Sequence, residues 1–446
     1  MLPGIPQQSS AALNSTEPPA EPPSRARYGV LAFLGTLTFI LYLDRVCISQ
    51  AVIPIQRDLN LSGGQMGWVL GAFTVAYGLF EVPTGSWGDR FGSRGVLTRI
   101  VLWWSAFTML TGASIGLTMM VVVRFLFGAG EAGAYPNAAR VVTRWFPIEA
   151  RARAQGLVIG AAQLGGMLAP PVAEYLISLV GWRWSFVIFG ALGIVWSALF
   201  YAWFRDDPAR HPAVNEAECA LIGAHQRAAP GAQQHPPIPW RLVFSSRNVW
   251  LLGIIQTCCA FVAYLFMTWY PTYLQRARGA SSVEASWLSA LALGGGAAGC
   301  LFGGVVNDWL VRITGSPRFS YRLYGVGCLT AAAAAMLASV ACDSPRLATA
   351  WCAAAYFAIL SGQAAWWPTI SEISGPHVGA MFGLMNSLGV PGAFASSALL
   401  GAFADYLGRL GFVGRGQWDP AFYIYAAALG LAAVCWLGVD ADRSIA

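Results

Sequence analysis

Long apolar stretches recur along this chain, and short polar segments separate them. The stretches repeatedly reach about 20 residues, the length that a helix needs to cross the hydrocarbon core of a bilayer. A membrane barrel would instead show short strands of alternating polarity, a pattern that this sequence lacks. The chain is therefore predicted to be an all-α membrane protein whose helices cross the bilayer repeatedly.

Twelve membrane-spanning helices are predicted, in two groups of six that a polar, proline-containing segment separates. An even number of spans with a polar break in the middle is typical of secondary transporters built from two pseudo-symmetric six-helix halves. The expected bounds of the spans are 28–50, 65–88, 95–115, 117–145, 153–178, 183–204, 248–274, 284–308, 321–342, 347–372, 377–405 and 420–439. The expected domains are a disordered cytoplasmic tail at 1–27, a first half at 28–204, a cytoplasmic linker at 205–247, a second half at 248–439 and a cytoplasmic tail at 440–446.

Composition agrees with this class of protein. Hydrophobic residues make up 56% of the chain and charged residues 11%, against about 25% charged in soluble domains. The nine cysteines are scattered, with no spacing that predicts a metal site or a disulfide framework. The chain has arginines but no lysine, and this bias, with abundant alanine and glycine, indicates a GC-rich bacterial genome.

Arginine positions predict the orientation of the chain. With the amino terminus inside, 18 arginines fall in cytoplasmic tails and loops, 7 fall outside and 2 lie at membrane depth. This asymmetry follows the positive-inside rule. We therefore expect a multi-pass protein of the cytoplasmic (inner) membrane with both termini and the central linker in the cytoplasm.

Four charged residues interrupt the apolar spans: Asp44 and Arg45 in the first, Arg124 and Glu131 in the fourth. A charge at membrane depth costs at least about 2.5 kcal/mol, so it persists mainly where it pairs inside a bundle or lines an aqueous path. Arg124 and Glu131 are seven residues apart, which places them on one helix face. We interpret the group as a binding and proton-coupling site, with a structural salt-bridge network as the alternative.

The segment after the second span has a characteristic pattern, in which Gly85 precedes Asp89 by four residues. The same interval separates Gly304 from Asp308 after the eighth span. The first copy resembles the loop signature of the major facilitator superfamily, and the resemblance covers residues 28–439. It implies the fold predicted above, and it assigns the conformational or gating role to these motif residues: Gly85, Asp89, Arg90, Gly92, Arg94 and Asp308.

Within that superfamily, the segment from Arg124 to Pro147 closely resembles the anion:cation symporter family, as does the pair Asp44–Arg45. That family includes bacterial transporters of galactonate, glucarate and hexuronates. The resemblance implies that Asp44 and Glu131 are the protonatable carboxylates, and that Arg45 and Arg124 organise these carboxylates and the anionic substrate.

Further substrate contacts are expected in both halves. Tyr77 and Gln163 fall where the family's substrate contacts lie. The second half has no ionisable residue deep in a span, but its amides can bond hydroxyl groups, and a tryptophan can pack on a carbon face. The predicted contacts there are Gln256, Gln363, Trp366 and Asn386, with packing as the alternative role for the tryptophan. Glu81 and Glu174 also lie in spans, and for them a role in packing explains the position as well as a role in transport does.

The sequence thus predicts a transporter rather than an enzyme, carrying a sugar acid or another small carboxylate with protons by alternating access. Arg124 is expected to be neutralised by Asp44 and Glu131, and protonation of Glu131 releases an arginine for the substrate. An anion exchanger and a multidrug exporter of the same fold are the alternatives. The expected partners are a small organic anion and the bilayer, with no nucleic acid, no metal, no cofactor beyond protons and a monomeric chain.

Overall fold

The computed structural model of the protein describes residues 22–226, 240–374 and 377–440. Most of the predicted amino-terminal tail, the linker from 227 to 239 and most of the carboxy-terminal tail lie outside the described residues. The described chain is helical almost throughout.

Twelve helical spans follow one another through the described residues. Their bounds lie within a few residues of those that the sequence predicts at most ends, and several spans extend further. Span 1 is Ala26–Leu59, span 2 Gly63–Phe91, span 3 Ser93–Gly112, span 4 Leu117–Glu131 with Ala134–Trp145, spans 5 and 6 the halves 148–180 and 182–203 of Ile148–Trp203, span 7 Arg247–Arg276, span 8 Ser282–Thr314, span 9 Pro317–Ala341, span 10 Pro345–Ser374, span 11 Val378–Arg409 and span 12 Arg415–Leu437.

Nine helical stretches among the described residues are long and apolar enough to cross a membrane. One of them contains two spans, because the chain turns at Gly181, whose φ of +78° lies in the region that favours glycine. Spans 2 and 3, helices of 29 and 20 residues, complete the twelve. The predicted all-α membrane fold is confirmed.

Packing within the first six spans is repeated in the second six. In the first half, span 1 packs on span 5, span 2 on span 4 and span 3 on span 6; in the second half, span 7 packs on span 11, span 8 on span 10 and span 9 on span 12. The two halves meet mainly where span 2 packs on span 11 and span 5 on span 8. This repetition is the pseudo-symmetry that the sequence predicts.

We call the face where span 1 begins the terminal face and the opposite one the distal face. Side chains tie the halves together at the distal face. Gln50 donates to the carbonyl of Ser282 at 3.1 Å, and Arg276 donates to the Gln56 side chain at 2.7 Å. The N–H of Gly64, at the start of span 2, donates to Asp405 at 2.8 Å. The distal ends of the halves are therefore held closed in this structure.

The first part of the linker makes more contacts than a plain tether. It contains a helix, Glu216–Gln226, and Glu218 accepts the N–H groups of Ala26 and Arg27 at 3.2 Å each. The first N–H groups of a helix lack acceptors within it, so this carboxylate caps span 1 and complements its dipole. Asp206 likewise accepts the N–H of Arg94 at 3.0 Å.

Glycines at helical spacing form two ridges in the sequence, a pattern that predicts packing faces, and the two ridges differ in the structure. At Gly295, Gly299 and Gly303 the backbone of span 10 lies so close that a side chain would collide with it. At Gly156 and Gly160, no described atom lies within 4 Å of an added Cβ. The prediction is therefore wrong for Gly156 and Gly160, which face open space, whereas Gly165 further along the same span packs on the backbone of Phe39.

Candidate functional site

The four charged residues that the sequence singled out come together in the first half. We call Asp44, Arg45, Arg124 and Glu131 the charged cluster. Span 1 supplies the first two and span 4 the last two. Between these residues, Gly128 packs against the backbone of span 2, where the carbonyl oxygen of Phe73 would lie 2.4 Å from an added Cβ. The small residue thus serves a close helix contact that brings span 2 beside the cluster.

Glu131 holds Arg45. The Nε of Arg45 donates to Glu131 Oε1 at 2.8 Å, and a second guanidinium nitrogen bonds the same oxygen. The guanidinium also lies over the rings of Tyr42 at 5.0 Å, Phe73 at 5.1 Å and Tyr77 at 4.7 Å. Glu131 Oε2 is buried and, within the described residues, accepts no hydrogen bond. The carboxylate therefore keeps one oxygen unused beside the cation.

Arg124 lies within electrostatic range of Asp44 and Glu131, as expected, but it forms no direct ion pair with Glu131. Seven residues of helix separate the two by about 10 Å along the axis, and Arg45 reaches Glu131 from the neighbouring helix instead. Arg124 is 2% exposed and lies over the ring of Phe127 at 4.3 Å. Its Nε and Nη1 donate to no acceptor in the part of the chain that the structure describes.

Asp44 is the other incompletely satisfied charge. It is completely buried, and neither carboxylate oxygen has a hydrogen-bond donor among the described residues. The donor that comes closest to bonding it is the indole N–H of Trp104, which has no other acceptor among the described residues, and Glu131 and Arg124 lie within electrostatic range of the carboxylate. A buried polar atom without a partner costs about 1–3 kcal/mol, so native structures retain few of them without a functional reason.

The other first-half residues proposed as substrate contacts lie on two different helix faces. Tyr77 is part of the cluster's surroundings, because its ring lies against Arg45. Gln163 is half-buried on the face of span 5 that Gly156 and Gly160 share, seven and three residues away. Its amide makes no hydrogen bond to the described residues, so the structure places it on an open helix face without joining it to Arg45.

In the second half, Gln363 donates to Gln256 at 3.3 Å, which links spans 10 and 7. Asn386 donates across the halves to Glu81. Trp366 is 1% exposed, and its indole N–H donates to the carbonyl of Leu252 at 3.3 Å. Its ring is thus committed to packing between spans 7 and 10, the alternative that the sequence left open.

Sequence reasoning missed several of the site's neighbours and left Glu81 undecided. Phe73 and Trp104 have no polar signal that separates them from ordinary core aromatics. Glu81 follows Tyr77 by four residues, which places both on one face of span 2 and could have assigned it to the site. Among the described residues, no group of His, Cys, Asp and Glu side chains is arranged to hold a metal ion.

The loop motif at the terminal face is described only in part. Gly92 has a φ of +79°, and the Nε of Arg94 donates to the carbonyl of Tyr201 at 2.9 Å. In the second copy Asp308 is exposed, while the preceding Asn307 is buried and donates to the carbonyl of Ala364. The side chains that carry the motif's first part, Gly85, Asp89 and Arg90, lie outside the described set.

Comparisons with known proteins agree with this architecture. A solved structure of a bacterial homolog of the human lysosomal transporter Spinster, in an inward-facing and occupied conformation, superposes with a TM-score of 0.72. It is 20% identical and the match covers 94% of this chain and 97% of that one, so it shows the likeness of the fold alone.

Curated relatives are similar over most of their length. The probable sulfoacetate transporter SauU of Cupriavidus necator is 31% identical over 421 residues, 93% of this chain and 94% of SauU. The probable galactarate/D-glucarate transporter GudP of Bacillus subtilis is 30% identical over 416 residues, 89% of this chain and 90% of GudP. The family model described as Major Facilitator Superfamily matches residues 34–389. The chain therefore belongs to the major facilitator superfamily and is a multi-pass membrane transporter, not an enzyme.

Proposed function

We propose that the protein carries a small organic anion together with protons across the membrane by alternating access. One observation carries the proposal. Glu131 is paired with Arg45, while Asp44 and Arg124 in the same cluster have oxygens and nitrogens without a hydrogen-bond partner among the described residues. A structural ion network would saturate its hydrogen bonds, because unsatisfied buried charges are costly. An incompletely satisfied cluster is instead ready to exchange partners.

The chemistry follows from the contacts. Protonation of Glu131 removes the negative charge that holds Arg45. The guanidinium can then pair with the carboxylate or sulfonate of a substrate, and its planar fork suits such groups. Proton and anion load together because each compensates for the other. Asp44, next to Arg124 and without a hydrogen bond to the described chain, is the second proton site.

Movement of the loaded site requires rocking of the two halves about the charged cluster. The distal contacts of Gln50, Arg276 and Asp405 break when the site turns toward the distal side. The terminal face is the cytoplasmic one, because most arginines lie there. Protease added from the cytoplasmic side should cleave within the linker at 205–247, and cleavage only from outside would contradict this orientation.

The substrate class rests on the cluster and on the relatives. SauU and GudP are named as transporters of sulfoacetate and of galactarate or D-glucarate. All three compounds are small organic anions, and the arginines offer matching charge. We infer that a sugar acid or a comparable carboxylate is the substrate, and that the protein works as a monomer in the inner membrane.

An anion exchanger is the second candidate, and Arg124 favours it: two of its nitrogens have no acceptor among the described residues. An exchanger would need an anion on both sides and would not respond to a proton gradient. Uptake of labelled D-galactonate into proteoliposomes, with and without a pH gradient, separates the two. We expect accumulation that depends on the gradient and not on internal anion.

Replacement of Glu131 by glutamine tests the coupling step. Glu131→Gln mimics the protonated state, so the variant should bind the anion and exchange labelled for unlabelled substrate. Gradient-driven accumulation should fail, since the glutamine cannot release a proton. The matched control is Asp58→Asn, a carboxylate at the distal end of span 1 that accepts Arg183 of span 6 at 2.9 Å, within the first half and away from the cluster. Preserved accumulation in Glu131→Gln would exclude Glu131 as the coupling site and implicate Asp44.

A further inference from the structure

A third carboxylate joins the two halves beside the charged cluster. Glu81 of span 2 accepts the amide of Asn386 of span 11, at 2.8 Å for Oε1 and 2.6 Å for Oε2. Both side chains are half-buried. The sequence assigned Asn386 to the substrate and left Glu81 between packing and transport. The structure makes them partners.

The position of Glu81 relates it to Arg45. Phe73, Tyr77 and Glu81 are spaced by four residues, so they form one column along span 2. Arg45 lies over the rings of Phe73 and Tyr77, and Glu81 follows one helical turn further, about 6 Å along the axis. Glu81 lies within electrostatic range of Arg45 and of Tyr264 from span 7. The column therefore has a cation at one level and an anion at the next.

The two levels favour different chemical groups. The guanidinium of Arg45 attracts a carboxylate. An ionised Glu81 only accepts hydrogen bonds, so it suits hydroxyl groups and repels a second carboxylate. An N–H of the Asn386 amide is directed at the two oxygens of Glu81, so this donor does not serve a second carboxylate of the substrate. An anion that extends from Arg45 along span 2 thus meets an acceptor at its far end.

We propose that Glu81 determines the specificity of the site: it selects organic anions with one carboxylate and hydrogen-bond donors at the far end, and it rejects dicarboxylates. The selectivity would then differ from that of GudP, which is named for the dicarboxylates galactarate and D-glucarate. This inference rests on the proposed function, because it takes Arg45 as the site of the substrate's carboxylate. A purely structural Glu81 would affect the stability of the span 2–span 11 contact and leave selectivity unchanged.

The test compares two probes that share a carbon skeleton. D-Galactonate has a carboxylate at one end and a hydroxyl at the other, and galactarate has a carboxylate at both. The quantity measured is the ratio of kcat/KM for D-galactonate to that for galactarate in proteoliposomes at one pH. Wild-type protein should favour D-galactonate, and Glu81→Gln, which keeps the size and the contact with Asn386, should lower the ratio about tenfold.

Two further variants separate charge from structure. Glu81→Asp keeps the negative charge and should retain the wild-type ratio even if its rate falls. Glu174→Gln removes a carboxylate bonded to an amide elsewhere in the first half, and its ratio should not change. A thermal melt of each preparation identifies any variant that changes the ratio only by failing to fold.

The outcomes distinguish this inference from the proposed function. Wild-type preference for galactarate, or an equal ratio in wild type and Glu81→Gln, would overturn the inference while sugar-acid transport stands. Uptake of neither probe by the wild-type protein would overturn the proposed sugar-acid function and the inference with it. A lowered ratio in Glu81→Gln, with the ratio kept in both other variants, would support the inference.

Discussion

The two halves share one packing plan, yet they use buried charge in opposite ways. In the second half, an ion network at the distal end is saturated: Tyr273 and Arg415 donate to the two oxygens of Asp419 at 2.9 Å each. Each nitrogen of Arg278 donates as well, to Tyr273, Cys342 and Ser339. In the first half, Asp44 and Arg124 lie inside spans 1 and 4, and both oxygens of Asp44 and two nitrogens of Arg124 have no hydrogen-bond partner in the described chain.

This difference distinguishes two kinds of buried charge in one membrane protein. A saturated network gains its stability from bonds already made, so it holds the fold and has nothing left for a ligand. An unsaturated cluster costs stability, which is explained if a proton and an anion complete it during transport. The predictions below test whether substitutions in the saturated network change stability while substitutions in the charged cluster change transport.

The largest contrast should come from two buried arginines. Arg124→Lys keeps the charge but loses the planar fork, and we expect uptake to fall about 10- to 100-fold with little change in melting temperature. Arg278→Lys in the saturated network should do the reverse, lowering stability while uptake per folded protein is retained. Wild-type uptake by Arg124→Lys would argue against any contact between its guanidinium and an anion.

Substitution of Asp44 should affect transport and substitution of Asp419 should affect stability, as for the two arginines but with a smaller effect. Asp44→Asn removes no hydrogen bond to the described chain, so stability should change little while gradient-driven accumulation falls about tenfold. Asp419→Asn weakens charge-assisted bonds from Arg415 and should lower the free energy of unfolding by about 1.5–3 kcal/mol. Thermal melts and uptake on the same preparations provide both values. Equal destabilisation by the two changes would remove the distinction.

A saturated carboxylate of the linker, bonded to the start of span 1, tests whether saturation or location decides the role of a carboxylate. Glu218 caps span 1 and pairs with Arg27 at 3.2 Å. Glu218→Gln should cost about 1 kcal/mol of stability, the typical value of a helix cap. Uptake per folded protein should stay at the wild-type level. A loss of coupling without a loss of stability would assign the linker a part in transport.

The fold could be predicted almost completely because apolar stretches of spanning length recur along the chain, with one polar break between two groups of six. The charged cluster could also be predicted, since ionised groups at membrane depth are rare and need a reason. Pairing within the cluster could not: helical spacing placed Glu131 near Arg124, whereas the contact depends on how spans 1 and 4 pack. The Glu81–Asn386 bond was likewise out of reach, because it joins residues 305 positions apart in the chain.

The contacts of the linker also could not be predicted from the sequence. Its polarity and prolines predicted a simple tether, yet Asp206 and Glu218 bond backbone N–H groups of the first half. Acidic residues in a polar segment look alike in the sequence whether they face water or cap a helix. Only the position of the helix ends distinguishes the two cases.

The central claim is that Glu131 takes up a proton when Arg45 leaves the carboxylate of Glu131 and pairs with the carboxylate of the substrate. Proton uptake on binding tests it most directly, measured with a pH indicator as D-galactonate is added to weakly buffered purified protein. The account predicts proton uptake by the wild-type protein, tighter binding as the pH falls, and about one proton fewer per bound anion in Glu131→Gln. Equal proton uptake by the two proteins would contradict it.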